Sequence, residues 1–490
     1  MNKENEMDNM NYRRAKTWQL ASAMMTNGAN MTFYTLMTYV SYIANQGYGI
    51  AVAVTGIIMT ATRLFDGVTD PVLALMADRI NTKHGKIRIL LWLGFLVEAL
   101  AVSIMFLFGS NGKHGIVLFV ISYMLYIIGY TIFGIAGNTI NPIITNDPKQ
   151  RPMLMLWSTL YSYFFPAIWM VVIQAVILPR FGGEYTTPML RTVCVVCVVF
   201  AALCIGIVCM GVRHIDKPEN FVNIRLSGEK DAKIGVRDML QLIKSNRALQ
   251  TYAVAAASDK LALQTGGQAV ITTMLYGICI GNMGVSTILQ AIAGLPSIIF
   301  IYIGARMAGK RGNKETMVLW TWVCMIISII SMVFCFAIDM RSITVSIVPT
   351  IIFFGTLLLL NASKMCVSSS SAAMMSDIVD YEFNRSGNFM PGTVSATYTF
   401  IDKLVSSLSS TVATVSIALI GYTSTMPQPT DEPTMAIKAL TLILFFGLPI
   451  IAWICTIVAM KFCPLSKDMM VQVQRENQEK RNSAKGQEAV

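Results

Sequence analysis

One pattern repeats along nearly the whole chain: a window of about 20 predominantly apolar residues, then a short polar connection. Twelve such windows begin near Trp18, Ala51, Ile89, Gly115, Met153, Thr192, Ala248, Val285, Met317, Ile343, Thr393 and Ala436. A helix of that length crosses the hydrocarbon core of a bilayer, and lipid leaves the backbone no other way to satisfy its polar groups except a closed barrel. The expected fold class is an all-α membrane protein with twelve transmembrane helices, those near Ala248 and Thr393 being the most polar. Only 13% of residues are charged, against about a quarter in an ordinary soluble domain, and 54% are hydrophobic.

Lysine and arginine sit in alternate connections. Arg13, Arg14 and Lys16 precede the first span, Arg79 to Arg88 follow the second, and Arg306 to Lys314 follow the eighth. Asn45 to Ile50 and Gly281 to Val285 are nearly uncharged. The positive-inside bias then places both termini in the cytoplasm. It also accounts for most of the net charge of +11, so the basic balance argues topology and not a nucleic-acid partner. A polar stretch of mixed charge divides the chain into a cytoplasmic N-terminal segment (1–16), a first six-helix bundle (17–212), a middle loop (213–247), a second bundle (248–463) and a solvated cytoplasmic tail (464–490). The basic turn at Asp78-Arg79 to Gly85-Lys86 echoes Arg306 to Gly312 at the corresponding place in the second half, as a duplicated transporter with its site between repeats would show. Cys194, Cys197, Cys204 and Cys209 have no companion histidines in their span and read as packing residues. The polar, acidic stretch from Met1 to Tyr12 is not expected to act as a removable signal peptide.

Within the second span Arg63, Asp66 and Asp70 lie three and four residues apart, which stacks them on one face of a helix. Each such residue costs about 2.5 to 3.5 kcal/mol at the centre of a span, so three together imply an internal cavity with partners or a bound ion. Two carboxylates one turn apart cannot cheaply both ionise there. Either a cation sits between them or one holds a proton. Asp66, Asp70, Thr69 and Thr131 supply the oxygens a hard cation such as sodium prefers. Pro71 has no amide hydrogen for the carbonyl of Gly67, which leaves one more oxygen on the same helix or a kink. Read purely as structure, Arg63 and the two acids would be a salt-bridge network holding helices together.

The run Arg63-Leu-Phe-Asp66-Gly-Val-Thr-Asp70-Pro71, continuing through Asp78-Arg79 to Gly85-Lys86, closely resembles the second-helix signature of the glycoside-pentoside-hexuronide cation symporters. Tyr130-Thr131 with Pro142, Thr145, Asp147 and Arg151 resembles that family's fourth helix and following loop. Asp377 to Glu382, Gly387 and Asp402-Lys403 resemble its tenth-to-eleventh connection and eleventh helix. The resemblance implies a major facilitator fold, two pseudosymmetric six-helix bundles rocking about a central cavity. It also implies a coupling ion, Na+, H+ or Li+, at Asp66 and Asp70 with Thr131 and Thr69 beside them, Lys403 near the ion and sugar, and no further cofactor. The partners implied are a sugar or glycoside, the cation and the lipid bilayer, for a chain working as a monomer in a bacterial-type cell membrane.

On the sugar side the sequence departs from the family's galactoside carriers, with Asn30 and Gly134 where those have aspartates. Asn30 can still exchange hydrogen bonds with a hydroxyl, and Gly134 offers backbone and space. Asn138 lies one turn beyond Gly134. Substrate contacts are therefore expected from Asn30, Tyr130, Gly134, Asn138, Thr159 and Lys403, with Trp157 a weaker candidate, and gating from Arg63, Asp78, Arg79 and Arg151. The segment Asp78 to Arg88 is expected to form a cytoplasmic charge lock. Asp259 and Lys260 adjoin and so need separate partners; Glu98 and Lys364 are expected to snorkel or pair structurally, and Asp402 to tie helices. None of the three histidines falls in a span, so a histidine proton relay is not expected. A lysolipid or other amphiphile carrier of the same superfamily is the alternative function. A membrane aspartyl protease would need facing acids and a Gly-x-Gly-Asp motif, whereas Asp66 and Asp70 share one helix.

Overall fold

A computed structural model describes residues 14–79, 85–109, 113–145, 150–217, 236–387 and 391–488, and these residues are almost wholly helical. In chain order the helices are α1 (Thr17–Met37), α2 (Val40–Tyr48), α3 (Val52–Arg79), α4 (Ile87–Leu107), α5 (Lys113–Ile144), α6 (Arg151–Val171) and α7 (Thr187–Val212). The second half continues with α8 (Val236–Ser245), α9 (Arg247–Gly266), α10 (Ala269–Cys279), α11 (Gly284–Arg311), α12 (Asn313–Ala337), α13 (Ile347–Ser386), α14 (Pro391–Leu419), α15 (Met435–Phe462) and α16 (Lys467–Glu488).

Among the described residues seven helices are long and apolar enough by composition alone to cross a membrane, and an eighth counts if α10 and the start of α11, bent by 118°, are taken together. Gly281, at φ +78°, lies in that bend, a backbone conformation that favours glycine. The polar helices α9 and α14 are each at least 20 residues long and still form, because their polar groups find partners inside the protein. Lys260 of α9 meets Asp402 of α14 at 3.7 Å, and Thr456 of α15 bonds both a carbonyl and a carboxylate of α9.

The chain forms two compact units, Met1–Ala51 with Thr62–Lys230, and Val52–Ala61 with Asp231–Val490. In the first, α1 packs on α6 and α7, and α4 on α5. Gly94 and Gly129 let α4 and α5 approach so closely that a Cβ at either would strike the facing backbone. In the second, α9 packs on α14 and α15, and α13 on α11 and α12. The opening turns of α3 belong to this unit, where Thr60 Oγ1 bonds the Ser407 carbonyl at 2.8 Å and the Thr411 hydroxyl at 2.7 Å.

Two polar stretches are more ordered than their composition suggests. Part of the expected middle loop is the helix α8. The expected solvated tail is α16, which buries Met470, Val473 and Asn477. Asn477 donates to the Asp380 carbonyl at 2.9 Å, and Asn384 to Glu476 at 2.8 Å.

Candidate transport site

Helix α3 runs unbroken through Pro71, so positions 63, 66 and 70 keep the helical spacing that sets them along one face. The side chains of Asp66, Thr69, Asp70, Asp78, Arg79, Asn138, Arg151 and Thr159 lie outside the described residues. Arg63 is described. Its guanidinium lies nearest Tyr123, with Tyr34 and Tyr126 close by. Tyr123, Tyr126 and Tyr130 follow helical spacing on α5, successive ring centroids 6.1 Å apart, which gives the arginine an aromatic and hydroxylic wall.

Two expected substrate residues come together: the side chain of Asn30 on α1 lies close to the hydroxyl of Tyr130 on α5, although 100 positions separate them. α1 is also stitched to α6, through Asn27 to Ser158 at 2.7 Å and Trp169 Nε1 to Thr32 at 2.9 Å, with the ring of Phe165 against Gly28. On these joined helices two buried polar atoms have no hydrogen-bond partner among the described residues, Asn30 Oδ1 and Trp157 Nε1, an acceptor and a donor. Leaving such an atom unpaired costs about 1 to 3 kcal/mol, so each marks a place where a ligand hydroxyl gains more than it would in water. Gly134 has open space around the position a Cβ would take. Thr131 is buried on the same helix, and Lys403 of α14 is half-buried.

Glu98 does not snorkel: it is 0% exposed, and among the described residues neither carboxyl oxygen has a hydrogen-bond partner. Arg88, the last residue of the expected cytoplasmic lock, pairs within its own unit with Asp216, a residue the sequence reading passed over. Asp259 and Lys260 do take separate partners, Thr456 at 3.1 Å and Asp402 at 3.7 Å, and Asp402 joins α14 to α9 as expected. Lys364 does not snorkel either: it lines a cavity of about 320 Å³ in the second unit, together with Asp259, Asn361, Tyr398 and Trp453.

Long apolar helices in two units, with charged and orphaned polar groups held inside them, define a membrane transporter. Solved transporters share the fold: a bacterial homologue of the human lysosomal transporter Spinster has a TM-score of 0.60 at 13% identity, covering 94% of this chain and 98% of the other. The nucleoside transporter NupG has a TM-score of 0.60 at 12% identity, covering 90% and 99%. The profile of the family described as "MFS/sugar transport protein" matches residues 21–467. The chain belongs to that family, as a multi-pass cell-membrane symporter of the glycoside-pentoside-hexuronide kind and not an enzyme. The putative glycoside/cation symporter YagG of Escherichia coli K12 is 23% identical over 431 residues, 85% of each chain. The isoprimeverose transporter of Lactiplantibacillus pentosus is 23% identical over 407 residues, 81% of this chain and 79% of the other.

Proposed function

We propose that the protein couples inward movement of Na+ or H+ to uptake of a glycoside, pentoside or hexuronide by alternating access. Twelve membrane-crossing helices in two six-helix bundles, both termini cytoplasmic, carry the monomeric transporter. The cation binds at Asp66 and Asp70, with Thr69 and Thr131 as further oxygens, and the sugar binds beside Asn30, Tyr130, Gly134, Asn138, Thr159 and Lys403. The observation that supports the reading is the unbroken helix from Val52 to Arg79, whose spacing sets two acids and an arginine along one face of what the sequence pattern makes the second span. The orphaned Asn30 Oδ1 and Trp157 Nε1 supply, in a family of sugar transporters, an acceptor and a donor suited to hydroxyls.

Arg63, Asp78, Arg79 and Arg151 gate the cycle by exchanging charge partners. Cation occupancy raises sugar affinity, and sugar raises cation affinity by the same factor, as linkage requires. Proteoliposomes given a sodium or a proton gradient test the reading with labelled isoprimeverose, D-xylose, D-glucuronate and a lysolipid. Accumulation of a sugar under one gradient is the expected result; movement of the lysolipid alone overturns it. Asn30→Ala and Trp157→Phe each remove one group able to bond a hydroxyl, worth about 1 kcal/mol, so each is expected to raise the KM for the accumulated sugar about fivefold with the maximal rate kept.

A further inference from the structure

Asp259 of α9 and Lys364 of α13 line one cavity of the second unit without forming an ion pair with each other. Asp259 accepts a hydrogen bond from Thr456 Oγ1 at 3.1 Å. Lys364 Nζ lies over the indole of Trp453, 5.8 Å from the ring centroid, and among the described residues it has no carboxylate or carbonyl in bonding contact. Lys260 and Asp402, by contrast, are joined at 3.7 Å. The region therefore holds one closed pair of opposite charges and one open pair.

An ionised carboxylate only accepts and an ammonium only donates, so what fits between them must do both. A hydroxyl does both, and neighbouring hydroxyls on one ring reach both groups together. The C–H face of a sugar ring is apolar and suits an indole, which Trp453 presents from α15. Asn361, Ser371 and Tyr398 add neutral hydrogen-bonding groups to the wall. A volume of about 320 Å³ lies at the small end of ligand pockets, about 300 to 1,000 Å³, which suits one ring better than an oligosaccharide.

We infer that this cavity is a carbohydrate subsite, in which one pyranose ring stacks on Trp453 while its neighbouring hydroxyls bridge Asp259 and Lys364. The inference rests on the sugar-symport reading and adds to it a specificity site built from residues of the second unit, whereas Asn30 and Trp157 belong to the first.

The test uses the full chain in proteoliposomes with isoprimeverose, D-xylose and D-glucuronate as probes. For the sugar that wild-type protein accumulates, Asp259→Asn and Lys364→Gln are each expected to raise KM at least tenfold with the maximal rate within about twofold. The double variant separates a ligand clamp from a pair that only balances charge inside the membrane. Removing both charges repairs a balancing pair, so wild-type KM in Asp259→Asn/Lys364→Gln overturns the inference, whereas a loss as large as that of either single variant supports it.

Trp453 provides a second line that changes no charge, should either single variant fail to fold. Trp453→Leu is expected to raise KM about tenfold and Trp453→Phe, which keeps an aromatic face, about threefold. Equal KM in those two variants overturns the subsite. Wild-type KM throughout removes the subsite and leaves the symport reading standing; no sugar accumulation by wild-type protein under either gradient removes both.

Discussion

Asp66→Asn and Asp70→Asn are each expected to bring sugar accumulation from several hundred-fold down to simple equilibration across the membrane. One cation moving down a potential of about 100 mV releases about 2.3 kcal/mol. A tenfold concentration gradient of that ion adds about 1.4 kcal/mol. Together these sustain a sugar gradient of roughly 500-fold, provided the empty carrier and the doubly loaded carrier reorient and the half-loaded carriers do not. An amide in place of either acid removes the charge that makes the cation necessary, so sugar then crosses without it. Counterflow, which needs only sugar binding and reorientation, should survive within about tenfold. Uptake against a gradient by both variants would place the coupling ion elsewhere, and Glu98, buried and without a hydrogen-bond partner among the described residues, would be the next position to substitute.

That the acids of α3 could be singled out from sequence follows from their being local. Positions 63, 66 and 70 share one helix, and helical periodicity fixes their relation without knowledge of any neighbour. The approach of Asn30 to Tyr130 is a different matter: each residue is expected at the sugar site by resemblance, but their proximity depends on how α1 packs on α5. The cavity around Asp259 and Lys364 was illegible for the same reason. Its ionisable residues stand out in their spans, yet four helices spread over some 200 positions build it, and hydropathy carries no register between helices.

Composition left one face of α16 unread. Most of its described side chains are exposed, as its Lys, Gln, Glu and Asn content suggests, while the signal for docking is the i, i+3, i+7 series Met470, Val473 and Asn477, which is short and part polar. By hydropathy α9 and α14 do not stand out as spans among the described residues, and the charged groups Lys260 and Asp402 that lower their hydropathy meet each other at 3.7 Å.

Asp216→Ala is expected to cost about 3 to 5 kcal/mol of stability, read as a drop in melting temperature and in the yield of monodisperse protein. Asp216 follows the end of α7, and its side chain is 0% exposed. One carboxylate oxygen accepts from the backbone amides of Lys86 and Ile87 at 2.8 and 3.0 Å, and the other from the amide and the Nε of Arg88, both at 3.0 Å. It thus caps the N-terminus of α4 from a distant point in the chain, satisfying amides that a helix start otherwise leaves unbonded and placing negative charge at the positive end of the dipole. Gly85 makes room for it. A Cβ there would strike the carboxyl group, and its φ of +95° disfavours other residues, so the turn and the acid depend on each other. If capping is the main role, Arg88→Gln removes one bond to a partly exposed side chain and should cost only about 1 kcal/mol. Asp216→Asn should fall between the two, since its amide keeps one acceptor and turns a donor toward donors. The order of the three variants is the test: a loss in Arg88→Gln as large as in Asp216→Ala would make the ion pair, and not the cap, what joins α7 to α4.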